Sequence, residues 1–162
     1  MSRVVFGRRD PSYISPILSA IQSDLCESGI DGVLSTHIQR DALEKFSYVS
    51  PIGAAGVYLH AVAGDFQKEG PARELFKSMI REISALAAAM GYPFEKDYVK
   101  INLEILSNLS ADATTSMQRD IMEGKPSELD GLVMEPLRLA KKYSVSMPCY
   151  EEVAKVLCPL EF

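Results

Sequence analysis

The polar residues whose types and spacing could do chemistry are concentrated in residues 114–133, TTSMQRDIMEGKPSELDGLV. This stretch has a Gly-Lys-Pro-Ser break, and its cluster of polar residues could form one wall of an active site: Ser116, Asp120, Lys125, Ser127, Glu128 and Asp130. Helix capping explains the same stretch, because Ser127 followed three residues later by Asp130 is a variant of the capping box. Glu128 would then lie in the first helical turn, where the helix dipole favours a negative charge. From the pattern alone, we favour caps over a site.

Lys45 is a candidate acid/base group in the segment RDALEKFSYVS. Its neighbours Leu43, Phe46 and Val49 are apolar, and desolvation lowers the pKa of an amine toward the range useful for proton transfer. Asp41, four residues earlier, could instead form a surface ion pair with Lys45. The sequence alone favours this surface-lysine interpretation.

Cysteine and histidine spacing predicts neither a disulfide framework nor a metal site. The three cysteines include no C-x-x-C pair, and the two histidines form no H-E-x-x-H motif. Cys149, after Pro148 at a possible helix N-terminus, could have a lowered thiol pKa. Since no histidine or second cysteine is near it in sequence, we interpret Cys149 as a small packing residue. We expect a reduced, cytoplasmic protein.

Composition is typical of one globular domain with a proper core. The chain has 162 residues, of which 47% are hydrophobic and 24% charged. The net charge of −5 gives no basic footprint for nucleic acid. No apolar run approaches the ~20 residues needed to span a bilayer. We therefore expect neither a nucleic-acid partner nor a membrane partner.

The first 36 residues are predicted to form a β-α-β unit. RVVFG (residues 3–7) and GVLS (residues 32–35) are short apolar runs typical of strands. Between them, Ser15 and Pro16 are a good helix start, and Gly29 can end that helix. Two short strands have little stability of their own, so this unit resembles part of a larger α/β domain.

From residue 37 onward every pattern predicts helix. Residues 51–64 are rich in small residues, which allow close approach of a neighbouring helix. Any of Thr114, Thr115 and Ser116 could cap a helix, and Pro136 should bend one. The predicted helices are residues 37–50, interrupted by Pro51; residues 71–90, ending at Gly91; one marked by Tyr98, Ile101, Ile105 and Leu109; and residues 114–123, 128–143 and 149–157.

Three segments resemble the C-terminal domain of the ketopantoate reductase (2-dehydropantoate 2-reductase) family. TSMQRD and GKPSELD match the family's T-S-M-x-x-D and G-[RK]-x-[ST]-E-[IL]-[DE] segments, in order and at the expected separation. AKKYSVSMP follows and resembles the family's A-x-x-x-G-[IV]-x-[TV]-P segment, with Ser144 at the glycine position and Met147 at the Thr/Val position. Upstream, HIQRDALEKF resembles the family's entry into its helical domain, and RVVFGRRD resembles a late strand of its nucleotide-binding domain. The resemblance covers essentially the whole chain.

The resemblance implies a fold and a division into domains. The fold is mainly α: a multi-helix C-terminal domain of the 6-phosphogluconate dehydrogenase-like type, after a short β-α-β remnant of a Rossmann domain. Residues 1–36 are the remnant, and residues 37–162 are the helical substrate domain. The family's G-x-G-x-x-G turn is absent from this sequence. We therefore expect a C-terminal portion of a reductase that is inactive alone and binds no cofactor tightly.

The resemblance also implies an activity and a site. The family reduces a 2-oxo acid with NADPH in pantothenate biosynthesis, and a homodimer is possible. By this likeness Lys45 is the acid/base group, donating a proton to the new alkoxide as hydride arrives. Ser116 and Glu128 line the substrate cleft. The alternative is a non-catalytic helical module for self-association or partner binding.

Three positions depart from the family pattern. Members that bind ketopantoate carry asparagines four and eight residues after the lysine, where this chain has Val49 and Gly53. Another asparagine, three residues before the serine of T-S-M, is replaced by Ala113. These changes put ketopantoate itself in doubt as the substrate, because several amide contacts are missing.

Overall fold

A computed structural model describes residues 2–10, 12 and 15–159 of the chain. This part contains eight α-helices, one π-helical segment and a two-stranded sheet, which confirms the mainly α class. The chain forms two compact units, one up to Leu43 and one from Glu44 onward. Each unit is described by itself below.

The first unit is the predicted β-α-β arrangement. Strand β1 is Arg3–Gly7, helix α1 is Pro16–Glu27 and strand β2 is Asp31–Ser35. The strands are parallel, with a register that runs from Arg3 opposite Asp31 to Gly7 opposite Ser35. Gly29, just after α1, has a φ of +78°, a left-handed conformation that glycine adopts without steric cost. The prediction for residues 3–35 is confirmed.

In the described part of the second unit, every secondary-structure element is a helix. Its α4 begins at Pro71 and has the predicted apolar stripe, of which Phe76, Met79 and Ile83 are completely buried. Helix α3 is too short to leave a periodic pattern, so sequence reasoning missed it. The elements are α2, Ile38–Leu59, which begins in the first unit; α3, Ala63–Gln67; α4, Pro71–Ala89; α5, Tyr98–Ser107; α6, Ser116–Met122; the π-helical segment, Asp130–Met134; α7, Glu135–Tyr143; and α8, Pro148–Leu157.

The prediction that Pro51 interrupts the second helix is wrong, because α2 runs through it to Leu59. Proline lacks the N–H that would donate to the carbonyl four residues earlier, which belongs to Ser47. Asn102 of α5 replaces that donor, since its Nδ2 lies 3.1 Å from Ser47 O. Both residues are buried, so a bond from another helix satisfies a carbonyl that α2 itself cannot satisfy.

The helix marked by Tyr98, Ile101, Ile105 and Leu109 is found as α5, but two of these four residues are exposed. Ile105 and Leu109 are 44% and 41% exposed, whereas Asn102 and Leu106 are buried. An apolar stripe could not predict this face, because its first anchor is a polar residue. Asn102 is buried because its amide bonds to Ser47 Oγ as well as to the Ser47 carbonyl.

At Pro136 the structure has a π-helical segment directly before α7. The carbonyl that Pro136 cannot serve is Leu132 O, and Ser50 Oγ of α2 donates to it at 2.6 Å. The Tyr150 hydroxyl of α8 lies 2.5 Å from Ser50 Oγ. Because the single hydrogen of Ser50 goes to Leu132, the Tyr150 hydroxyl is the donor in this second bond. Two in-helix prolines are thus compensated by buried polar side chains from neighbouring helices.

Candidate functional site

Lys45 lies in α2 and is exposed. Within the described part of the chain, this side chain makes no hydrogen bond or ion pair. Val49 and Gly53 follow it at intervals of four residues, which places them on the same side of the helix. This side of α2, defined by Lys45, Val49 and Gly53, is called the lysine face below.

Ser116 is the first residue of α6, and it is exposed. The cap of this helix is Thr115, whose Oγ1 accepts from Gln118 N at 3.2 Å. Gln118 Oε1 in turn accepts from Thr115 N at 3.0 Å, which completes a capping box. The Ser116 hydroxyl is therefore not needed for the cap and is available to a ligand.

Glu128 lies two residues before the π-helical segment and is exposed. Its carbonyl accepts from Leu132 N at 2.9 Å, while its carboxylate has no partner among the residues that the structure describes. The predicted capping box of Ser127 and Asp130 is wrong. The Asp130 carboxylate instead accepts two hydrogen bonds from Arg138, at 2.9 and 2.8 Å, and these bonds hold the pKa of Asp130 below its usual value.

The lysine face of α2 meets the neighbours of both other candidate residues at Gly53. A Cβ placed on Gly53 would lie 3.1 Å from Met117 Cε, 4.0 Å from Thr115 Oγ1 and 3.8 Å from Leu132 Cδ1. Thr115 and Met117 flank Ser116 in sequence, and Leu132 follows Glu128 by one helical turn. Gly53 lies eight residues after Lys45, a rise of about 12 Å along the helix. The N-terminus of α6 and the π-helical segment therefore both lie against α2 at Gly53.

Close approach of α2 and α6 depends on glycine, as the small residues of 51–64 predicted. A Cβ on Gly56 would lie only 2.8 Å from the side chain of Gln118. Gln118 is buried, and its Nε2 donates to Ala61 O at 2.8 Å. Sequence reasoning missed this residue, although Thr115 with a glutamine three residues later is a readable capping-box pattern.

Cys149 behaves as a packing residue. The Glu82 carboxylate of α4 accepts from Cys149 N at 2.8 Å and from Tyr150 N at 3.1 Å, and so caps α8 from outside. Burial, together with the negative charge of Glu82, raises the pKa of the Cys149 thiol to about 11. The alternative of a lowered thiol pKa is therefore wrong, because Glu82 occupies the helix N-terminus that would have stabilised a thiolate.

Metal ligation and membrane insertion have no structural counterpart in the residues described. Across residues 2–10, 12 and 15–159, no three His, Cys, Asp or Glu side chains are grouped so that they could hold a metal ion. Within the same residues, no helix has the length and apolarity needed to cross a membrane.

Comparison with known proteins identifies the family. Residues 37–161 match the family model described as "Ketopantoate reductase PanE/ApbA C terminal". The chain belongs to the ketopantoate reductase family. Within that family it is similar to the 2-dehydropantoate 2-reductase of Aquifex aeolicus, with 25% identity over 97% of this chain and 58% of that protein. The chain thus spans a little over half the length of this curated relative.

Solved structures show that the fold is that of ketopantoate reductases. A 2-dehydropantoate 2-reductase from Methylococcus capsulatus aligns with a TM-score of 0.86 and 24% identity, over 98% of this chain and 50% of that one. A dimeric ketopantoate reductase from Staphylococcus aureus aligns with a TM-score of 0.82 and 18% identity, over 97% and 53%. In both cases this chain matches about half of the ketopantoate reductase.

Proposed function

We propose that the helical unit is the substrate-binding part of an NADPH-dependent 2-oxo acid reductase that resembles 2-dehydropantoate 2-reductase. The observation that carries the proposal is the set of contacts at Gly53, which bring the neighbours of Ser116 and Glu128 to the lysine face of α2. Membership of the ketopantoate reductase family supports the same assignment.

Each candidate residue has a role that its exposure and chemistry allow. The Lys45 ammonium binds the carbonyl oxygen of the 2-oxo acid and donates a proton there, so its positive charge stabilises the negative charge that develops on that oxygen. The Ser116 hydroxyl donates a hydrogen bond to the substrate. The Glu128 carboxylate accepts hydrogen bonds and orients both the substrate and the lysine.

The residues of this chain do not fit the cofactor. A dinucleotide's pyrophosphate is held by a glycine-rich turn at a helix N-terminus. The connection between β1 and α1, residues 8–15, reads RRDPSYIS and contains no glycine. NADPH binding is therefore assigned to the full-length family, and no hydride-transfer step is assigned to the residues described here.

The positions expected to contact the side chain of the substrate do not identify that side chain. Val49, Gly53 and Ala113 offer no side-chain donor or acceptor where ketopantoate-binding relatives have asparagine. A substrate hydroxyl would lose hydrogen bonds to water there without regaining them from an amide. We therefore propose the 2-oxo acid group, rather than the whole of ketopantoate, as what the chain recognises.

Titration of the chain with pyruvate, the 2-oxo acid with the smallest alkyl side chain, tests the proposal. Amide NMR shifts of the wild type are compared with those of Lys45→Met and of a control, Lys100→Met, an exposed lysine of α5. A charge-assisted hydrogen bond contributes about 1.5–3 kcal/mol, so Lys45→Met should weaken pyruvate binding by about 10- to 150-fold. The control should bind as the wild type does. Equal affinities for all three proteins would overturn the proposal.

We also propose that the protein forms a homodimer, since its relative from Staphylococcus aureus is described as dimeric. Sedimentation velocity distinguishes the states directly, because the chain has a mass of 17.8 kDa. A species of twice that mass is expected at micromolar concentration. Monomer alone across the concentration range would contradict it.

A further inference from the structure

A cavity of about 180 Å³ lies beside the part of α2 that carries Lys45. Tyr48 and Ile52, three and seven residues after Lys45, line it from α2 and lie on the same side of the helix as the lysine. Thr115, the residue before Ser116, lines it from the start of α6. Neighbours of both the lysine and the serine of the proposed site therefore line the cavity.

The walls of the cavity are mainly apolar and come from several elements. The polar atoms of the Thr115 and Gln118 side chains are already used, in the capping box of α6 and in the bond to Ala61 O. The Tyr48 hydroxyl oxygen is shielded from solvent, so an occupant meets the ring and not the oxygen. The principal apolar walls are Tyr48, Ile52, Ala63, Phe66, Leu109 and Ala113.

The volume sets the size of the occupant. A cavity of about 150 Å³ lined by leucine, isoleucine and phenylalanine excludes water and binds benzene. The cavity here is slightly larger and has similar walls, so a benzene-sized apolar group fits it. Water would find few partners there, because it needs two to four hydrogen bonds to remain in a buried site.

We propose that this cavity holds the side chain of the substrate, which is a 2-oxo acid with an apolar side chain of about the size of benzene. The inference rests on the proposed function, because Lys45 and Ser116 must hold the 2-oxo acid end. Burial of the apolar end then adds affinity in proportion to the area removed from water. A hydroxylated side chain gains less, because its hydroxyl gives up hydrogen bonds to water without a free partner in the walls.

Titrations of the whole chain with two named ligands test the inference. Pyruvate reports the 2-oxo acid end alone, and phenylglyoxylate adds a phenyl group. Phenylglyoxylate should bind the wild type at least about tenfold more tightly, the discrimination expected for apolar groups in an apolar pocket. Ala113→Leu should fill the cavity and remove that advantage, so that this variant binds phenylglyoxylate no more tightly than it binds pyruvate. Ala85→Leu, the same substitution at an exposed position of α4, should change neither affinity.

A second variant keeps the test decisive if Ala113→Leu disturbs the fold, which the dispersion of its amide spectrum would reveal. Ala113→Asn adds a smaller, polar side chain to the same wall and should lower the phenylglyoxylate advantage in the same direction. The quantity compared is the ratio of the phenylglyoxylate affinity to the pyruvate affinity within each variant, so a change common to both ligands cancels.

The possible results separate the inference from the proposed function. Pyruvate binding that depends on Lys45, with no added affinity for phenylglyoxylate, overturns the cavity assignment and leaves the proposed function standing. Phenylglyoxylate binding that survives Lys45→Met shows a site independent of the lysine and overturns both. Absence of binding by either ligand at millimolar concentration also overturns both.

Discussion

Replacement of Asn102 by alanine should destabilise the helical unit through the carbonyl that Pro51 leaves without a helical donor. Asn102 is only 1% exposed, and its Nδ2 is the donor that reaches Ser47 O, at 3.1 Å. A buried carbonyl without a partner costs about 1–3 kcal/mol. The Ser47 hydroxyl keeps its own hydrogen bond to Glu44 O at 2.7 Å. Losing the second bond, from Asn102 Nδ2 to Ser47 Oγ, therefore adds little to the destabilisation. We therefore expect a decrease of about 2 kcal/mol in the free energy of unfolding.

Urea denaturation followed by far-UV circular dichroism measures this decrease, and a thermal scan gives a second value. For a chain of this size, about 2 kcal/mol corresponds to a melting temperature lower by roughly 4–8 °C. Asn108→Ala is the matched control, because Asn108 is an exposed residue at the end of the same helix. It should change stability by no more than about 0.5 kcal/mol.

A double-mutant cycle with Pro51→Ala tests the cause of the destabilisation by Asn102→Ala as well as its size. Alanine at this position restores a backbone N–H that donates to Ser47 O, so Asn102→Ala should then cost about 1–2 kcal/mol less than it does beside proline. The cycle subtracts the separate effects of losing the proline ring. If Asn102→Ala costs the same in both backgrounds, the carbonyl of Ser47 is not what Asn102 stabilises, and the explanation of the unbroken helix fails.

Two further predictions concern glycine packing and thiol chemistry. Gly56→Ala should destabilise the protein by about 1 kcal/mol in urea denaturation, because the buried Gln118 side chain must leave its bond to Ala61 O to admit the new Cβ, and this cost exceeds what alanine gains over glycine inside a helix. Gly131→Ala, with open space around it, should not destabilise the protein, and equal effects would contradict the packing argument. At neutral pH the Cys149 thiol is protonated, since its pKa is raised to about 11, and it should be alkylated more slowly than the exposed Cys26. Mass spectrometry after timed iodoacetamide treatment measures both rates, and faster labelling of Cys149 would refute the assignment.

The sequence predicted the elements whose stability is local. The apolar stripe of α4, its proline at the start and Gly91 at the end all indicate the helix found at Pro71–Ala89. The two strands and α1 were equally readable. Where the prediction for α2 failed, the cause was a long-range bond: Asn102 and Ser47 are 55 positions apart, and their contact explains both the unbroken α2 and the burial of a polar residue on α5. No local pattern contains that information.

The candidate site was readable mainly through family resemblance. The prediction of a Ser127–Asp130 capping box was wrong because Arg138, two helical turns further along the chain, binds the carboxylate of Asp130 instead. The roles of Lys45, Ser116 and Glu128 came from motif likeness, since their local patterns favoured a surface lysine and caps. Local periodicity therefore predicts helices here, while the meeting of three elements at one glycine requires the structure.

Amide shift mapping of a bound 2-oxo acid tests the central claim most directly. Saturation of the chain with phenylglyoxylate should move the amide signals around Lys45 in α2, at Ser116 and beside Glu128, because these elements meet at Gly53. Perturbations confined to residues outside α2, α6 and the start of the π-helical segment, or no perturbation at saturating ligand, would contradict the claim that the helical unit holds a 2-oxo acid site.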